Sequence, residues 1–376
     1  MFKLRRFFLF GLALCLAGGI LGCSSEPDPS GGEAVTDPTH FYEEVREDFL
    51  IDADVVAFPG SETPKVYEGI RLSLTKDQIT DFLNANGDPL VEWTSRLDPE
   101  RATGYTGTTE KDGTFTYCVS NSGLYPSLFE YENSLNEWWG NYHIYAGQQY
   151  YDTSSKWVFA HMFMEPKDFD FATAQEAEAA VLELLSGFGL NDLVLNRTLY
   201  IDHEILAEIT PILQQPEWQP LKGGTNPTKD DWTAADDGYI FEFFPAIDGT
   251  PMSYLDILSD TLAYQGSSIL VEYQQSGIIC LNADGLWAKG DVVEAPEQSI
   301  SATEALSLAR VKLENLRSYD SGTITKVSGE YMYFLDGDRF LLRPVWVVYA
   351  AYTLDYLPDS SSLEYVIIDA ITGEEI

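Results

Sequence analysis

The chain has 376 residues, with 60 Asp plus Glu against 22 Lys plus Arg and a formal charge of −38 at pH 7. Such a balance leaves no basic stripe to neutralise phosphates, which excludes nucleic acid as a partner. An anionic lipid surface would repel the folded body for the same reason.

At the N-terminus Lys3, Arg5 and Arg6 precede an apolar run, Phe7 to Leu21. The run falls short of the roughly 20 residues that a membrane helix needs. A basic start, a short apolar core and small residues at a cut site describe a secretory signal peptide over residues 1–22. The cut region, Ile20-Leu21-Gly22-Cys23, resembles the bacterial lipobox. The resemblance implies cleavage before Cys23 and a lipid, with palmitate, on its sulfur. The chain would then be anchored to the cell membrane on its extracytoplasmic face. Residues 23–47 begin with Ser, Gly, Pro and acidic residues that can bury nothing, so they read as a disordered tether. Without the signal, 19 basic residues face 60 acidic ones, a charge of −41.

Three places carry Ser or Thr followed three residues later by Glu or Gln: Thr75 to Gln78, Thr173 to Glu176 and Ser301 to Glu304. Each is a capping box ahead of an apolar-periodic run, so three helices are expected. The first should stop near Asn86-Gly87 and the second at Gly187 or Gly189. Between them lie strand-like runs rich in aromatic and β-branched residues. "VYEGIRLSL" and "KWVFAHMFM" precede the first and second helices; "GYIFEFFPAIDGTPMS" and "SSILVEYQQSGIICL" follow the second. "RFLLRPVWVVYAAYTL" and "LEYVIIDA" follow the third. "TGYTGTTEKDGTFTYCVS" reads as a hairpin turning at Lys111-Asp112-Gly113. The expected fold class is therefore α+β, in two to three small units, each a helix packed on an antiparallel β-sheet. Their boundaries fall at 48–165, 166–295 and 296–376.

The C-terminus reads Asp369-Ala370-Ile371-Thr372-Gly373-Glu374 after an apolar strand. Asp369 can accept amide protons in an Asx-turn and Gly373 can supply φ > 0. This makes a strand stop that needs no chemistry, and Asp369→Asn should then be nearly neutral. A capped helix at Ser301, strands and this ending resemble the PepSY-type domain over Glu297–Ile376. The wider layout, with "IDADVVAFPG" after the tether and "FATAQEAEAAVLELLSGFGL" in the middle, is similar to Gram-positive lipoproteins of unknown function. In architecture it also resembles the YycH and YycI accessory proteins of a cell-wall sensor kinase. The resemblance implies PepSY/YycI-like units and a non-enzymatic, regulatory role.

Signatures of catalysis are lacking. The four His are His40, His143, His161 and His203. His203-Glu204 begins like H-E-x-x-H, but Ala207 stands where the second His should be. There is no G-x-S-x-G elbow and no phosphate loop. An EF-hand spacing around Gly238 fails at Thr233 and Phe244. No enzyme, cofactor or metal is therefore expected. Cys15 leaves with the signal and Cys23 takes the lipid. Cys118 and Cys280 remain, as a disulfide or as two buried thiols. Between Tyr131 and Trp157 eight Tyr and Trp crowd together. They suit sheet packing or a binding face for glycan or peptide; Trp138, Trp139, Tyr142 and Tyr145 are its candidate ligand contacts. The expected function is a non-enzymatic interaction or regulatory module with an extracytoplasmic protein partner. The alternatives are a glycan- or peptide-binding lipoprotein and an inhibitor or regulator of an exported protease.

Overall fold

The computed structural model describes residues 38–60, 63–94, 102–120, 127–134, 160–213, 229, 231–255, 257–258, 263–264, 266–316, 319–354 and 357–376. Strands β1 (His40–Arg46), β2 (Phe49–Val56) and β3 (Val66–Arg71) lead to helix α1 (Lys76–Ala85). Then come β4 (Leu90–Thr94), β5 (Ala102–Thr109), β6 (Thr114–Ser120) and β7 (Ser127–Glu132). Helix α2 (Ala174–Ser186), β8 (Leu193–Ile201) and α3 (His203–Leu213) follow. Next are β9 (Gly238–Ile247), the short β10 (Thr250–Pro251), β11 (Ile257–Leu258) and β12 (Ala263–Tyr264), then β13 (Ser268–Gln274) and β14 (Gly277–Glu294). Helix α4 (Ala302–Leu313), β15 (Ser321–Asp336), β16 (Arg339–Leu354) and β17 (Leu357–Asp369) complete the chain.

Fifteen of these strands form one sheet, which corrects the expectation of two or three small helix-on-sheet units. An antiparallel run, β8-β9-β13-β14-β7-β6-β5-β4, makes one half. A second run, β1-β2-β15-β16-β17, makes the other, with β2 and β15 parallel. Strand β3 joins them, pairing with β14 on one edge and β16 on the other. β14 and β16 can serve both halves because they are 18 and 16 residues long. Within the expected 23–47 tether, His40–Arg46 is β1 itself. Of "KWVFAHMFM", Ala160–Phe163 is a 3₁₀ turn rather than a strand.

The three capping boxes form as the sequence indicates, with side chain and backbone bonded both ways at Thr75, Thr173 and Ser301. Helices α1 and α2 lie on one face of the eight-stranded run. Their buried residues Ile79, Phe82, Leu83, Ala177, Val181 and Leu185 meet a sheet surface of Phe115, Phe129, Tyr131, Val271, Phe241 and Leu281. α1 ends on Asn86, whose amide imitates a strand neighbour. Its Nδ2 donates to Ile278 O at 2.7 Å and its Oδ1 accepts from Ile278 N at 2.7 Å. α4 covers the five-stranded run through Ala305, Leu306, Ala309 and Leu313, against Trp346, Val348 and Ile368. Trp346 Nε1 donates to Ile300 O at 3.0 Å, fixing the entry to that helix. α3, with Pro211 inside it, is a helix that no capping box announces.

Cys118 and Cys280 are both free thiols. Register explains this: β6 and β14 flank β7 on opposite sides. Two strand spacings, roughly 9–10 Å, and an offset from Leu128 to Glu132 along β7 separate them, beyond the roughly 7 Å that a disulfide can span.

The C-terminal Asx-turn forms as expected, but Asp369 does more than cap it. Its Oδ1 accepts from the amides of Ile371 (2.8 Å) and Thr372 (2.9 Å), and Gly373 has φ +73°. Its Oδ2 accepts from Arg343 Nε (3.0 Å) and Nη2 (2.8 Å). The expectation that Asp369→Asn is neutral is therefore corrected, since Asn keeps the turn and loses the ion pair. Asp369→Asn should cost about 1–3 kcal/mol in urea unfolding. Gly373→Val should cost about 1–2 kcal/mol through the left-handed backbone alone. An unchanged midpoint for Asp369→Asn would show that Arg343 contributes nothing.

Candidate functional site

Of the aromatic stretch, Tyr131 is a core residue, 1 % exposed, and donates to Asp88 Oδ2 at 2.6 Å. Trp138, Trp139, Tyr142, Tyr145 and the lipid candidate Cys23 lie outside the described residues. Two other groupings bring ionisable side chains together.

The first sits where β8 runs into α3. Ile201 pairs with Gly238, which sets Asp202 beside Asp237. His203 Nδ1 lies 2.8 Å from Asp237 Oδ1 and 3.5 Å from Asp202 Oδ1. Three potential ligand atoms converge there, a constellation the H-E-x-x-A reading missed because Asp237 is distant in sequence. Each is already engaged. Asp237 Oδ1 accepts the His203 amide and Asp202 Oδ1 the Glu204 amide, both at 2.8 Å. Asp202 Oδ2 pairs with the Lys167 ammonium, and this bond raises the Lys167 pKa. The two aspartates thus cap the first turn of α3, where a negative charge meets the helix dipole. A metal ion there would share these carboxylates with the Lys167 ammonium and two backbone amides. Among the described residues no hydroxyl or thiol hydrogen-bonds His203.

The second grouping is the sheet face turned away from α1 and α2. Opposed residues in an antiparallel pair share a face. One row runs Thr114, Glu132, Cys280, Glu272. The next runs Thr106, Thr116, Glu130, Asn282. A third brings Cys118 and Asp284 onto Leu128. Four carboxylates, two thiols, an amide and several threonines therefore line one surface. The alternation in "TFTYCVS", "SLFEYE" and "CLNAD" encodes it, with apolar residues inward and polar ones outward. Glu130 and Glu132 are exposed, whereas Glu272 is fully buried. Burial, and then the charge of Glu132, push Glu272 up to about 8. Burial, then Glu132, also raises Glu130; burial raises the thiols of Cys118 and Cys280, with the surrounding acids adding to it. Crowded carboxylates of this kind favour a bound cation or a retained proton. The thiols, held protonated, are poor nucleophiles.

No family model matches the chain, the PepSY type included, and no curated protein matches it. A crystal structure of an uncharacterized protein from Eubacterium rectale ATCC 33656 is similar, with a TM-score of 0.56 and 18 % identity. The match covers 90 % of this chain and 93 % of that one, so the likeness extends across the fold. No helix among the described residues is long and apolar enough to cross a membrane.

Two outcomes follow from the groupings. If the Asp202–His203–Asp237 cluster is a cap, a chelator should leave the melting temperature unchanged, whereas Asp202→Ala should cost about 1–2 kcal/mol. A chelator-induced fall in melting temperature would make the cluster a metal site. Glu272 retains its proton in the folded chain up to about pH 8, while in the unfolded chain it loses it near pH 4.3. Between these values the folded state binds more protons, so this group makes stability fall as pH rises, by at most about 1.4 kcal/mol per unit. Glu272→Gln should remove that share of the slope in urea unfolding between pH 5 and 8. An unchanged slope would contradict a protonated Glu272.

Proposed function

We propose that this is a lipid-anchored extracytoplasmic interaction module that recognises a cationic protein partner through the acidic face of the eight-stranded run. The register that lays Glu130, Glu132 and Asp284 on one face carries the reading. Long-range attraction from such a surface accelerates encounter with a basic partner and weakens with salt. The anchor rests on Ile20-Leu21-Gly22-Cys23 behind a basic start and a short apolar run. Two acyl chains on one cysteine hold a protein stably at a membrane, because each buried methylene contributes about 0.8 kcal/mol. A non-enzymatic role is supported by the engagement of His203, Asp202 and Asp237 in capping α3.

Crosslinking and capture from intact cells tests the reading. Wild-type chain should capture a basic protein, and the Glu130→Gln, Glu132→Gln pair should capture about tenfold less while melting normally. Equal capture by the double variant would overturn the assignment of the face. Cys23→Ala should release the chain into the medium or leave an uncleaved precursor; normal processing with normal membrane retention would remove the anchor.

A further inference from the structure

A cavity of about 530 Å³ opens at the junction of the two runs, where the chain between β2 and β3 passes the β9–β10 turn and β15. That volume falls within the range of small-molecule sites, which form preferentially where structural units meet. Tyr67, Tyr331, Ile247 and Thr250, all buried, make its floor. Its walls are fixed by local bonds. Ile247 pairs with Thr250 across a two-residue turn, in which Asp248 and Gly249 have φ of +53° and +76°, as a type I′ hairpin requires. Gly249 N donates to Asp192 Oδ2 at 3.2 Å, and the Tyr331 hydroxyl donates to Lys65 O at 2.9 Å. Half-buried Phe58, with Pro59 and Pro64, gives the cavity an apolar side. The Phe58 ring lies over Gly329, where a Cβ would come within 3.1 Å of three ring carbons.

Asp248 supplies the polar side, with its side chain about half exposed in the cavity wall. Its Oδ2 accepts from the Tyr67 hydroxyl at 2.7 Å, and its Oδ1 pairs with the Lys289 ammonium. These bonds, Lys289 first, hold the Asp248 carboxyl below its usual range, so it is an acceptor only. A carboxylate has about four lone-pair sites, and among the described residues Lys289 and Tyr67 take two of them. The rest can receive a ligand that donates. A ligand cation would meet the Lys289 ammonium, which bonds the carboxylate and stands 5.0 Å from the Tyr67 centroid. A ligand anion would meet Asp248, and neither ammonium is spare, since Lys289 is bonded and Lys65 on the same wall is also partnered. What fits is a neutral molecule with hydroxyls to give and C–H surface to lay on Phe58 and the prolines. A sugar ring has both, in its rim of hydroxyls and its apolar face.

We propose that this cavity binds a neutral sugar, with Asp248 accepting from ligand hydroxyls and Phe58 receiving the C–H face of the ring. It shares no residue with the acidic face and stands independently of it. A free sugar and a glycan chain share this chemistry. Calorimetric titration of the full chain with cellotriose, maltotriose and tri-N-acetylchitotriose, and with glucose and N-acetylglucosamine, distinguishes them. At least one of the five should bind at about 10 mM or below. A trisaccharide tighter than its monosaccharide assigns the cavity to glycan chains, and a monosaccharide at least as tight assigns it to free sugars; both support a sugar site. Trigalacturonic acid and protonated chitotriose, which carry charge, should bind about tenfold more weakly than the best neutral sugar, equivalent to about 1.4 kcal/mol. Asp248→Asn keeps the turn, because Asn also takes positive φ there, and should weaken the best sugar about tenfold. Thr63→Trp should abolish binding by filling the cavity. No binding of any neutral sugar at about 10 mM, or equal or tighter binding of a charged one, would overturn the proposal. Those two results come from the wild-type chain, so they do not depend on a variant folding. Affinity unchanged in both folded variants would overturn the cavity as the site, and affinity unchanged in Asp248→Asn alone would overturn the role of Asp248.

Discussion

Strand β3, Val66–Arg71, pairs with β14 along its length and with β16 over Tyr67–Gly69, and the rest of the sheet depends on that double pairing. Tyr67 faces Val292 on one side and Leu342 on the other; Gly69 faces Lys289 and Phe340. The approach at Gly69 is close, since a Cβ there would stand 3.2 Å from Phe340 Cβ. A strand paired on both edges cannot leave without exposing two rows of unsatisfied backbone groups. Around the junction Tyr67, Trp287, Met332, Leu342 and Val345 form a core that belongs to neither half alone. Residues Asp37–Ile376 accordingly make one compact unit.

The acid load is handled by segregation. Carboxylates that the fold uses are tied to specific donors. Asp88 accepts from Thr109, Lys111 and Tyr131, and Asp369 from Arg343 and its own turn. Glu330 is fully buried within the sheet, where its Oε1 accepts from the Tyr349 hydroxyl at 2.9 Å, and burial raises its pKa. The remaining carboxylates gather on solvent and on the outward face of the eight-stranded run. Positive charge is sparse, and the Arg71 guanidinium lies on the aromatic faces of Phe340 and Trp287.

Local features were legible in the sequence, and long-range pairing was not. The capping boxes at Thr75, Thr173 and Ser301, the turn at Asp112-Gly113 and the left-handed Gly373 each follow from residues within a few positions of one another. The same logic wrongly made each helix and its strands a separate unit. Alternating hydrophobicity says which side of a strand is buried, but not which strand lies beside it. Nothing near Phe49 indicates that it will pair in parallel with Gly322, or near Val66 that it will join two runs. The candidate sites were hidden for the same reason. Glu132, Cys280 and Glu272 become neighbours only through register, and Asp237 meets His203 only because β8 pairs with β9. Asp369 was read as a turn residue because Arg343 stands 26 positions away.

Residue-resolved hydrogen exchange tests the unity of the sheet most directly. If β3 couples the two runs, the slowest amides of β13 and β14 and those of β16 and β17 should open with one common free energy. Gly69→Pro, which disrupts the pairing of β3, should lower both by the same amount. Distinct opening free energies for the two sets, or loss of protection in only one of them, would show that the halves fold independently.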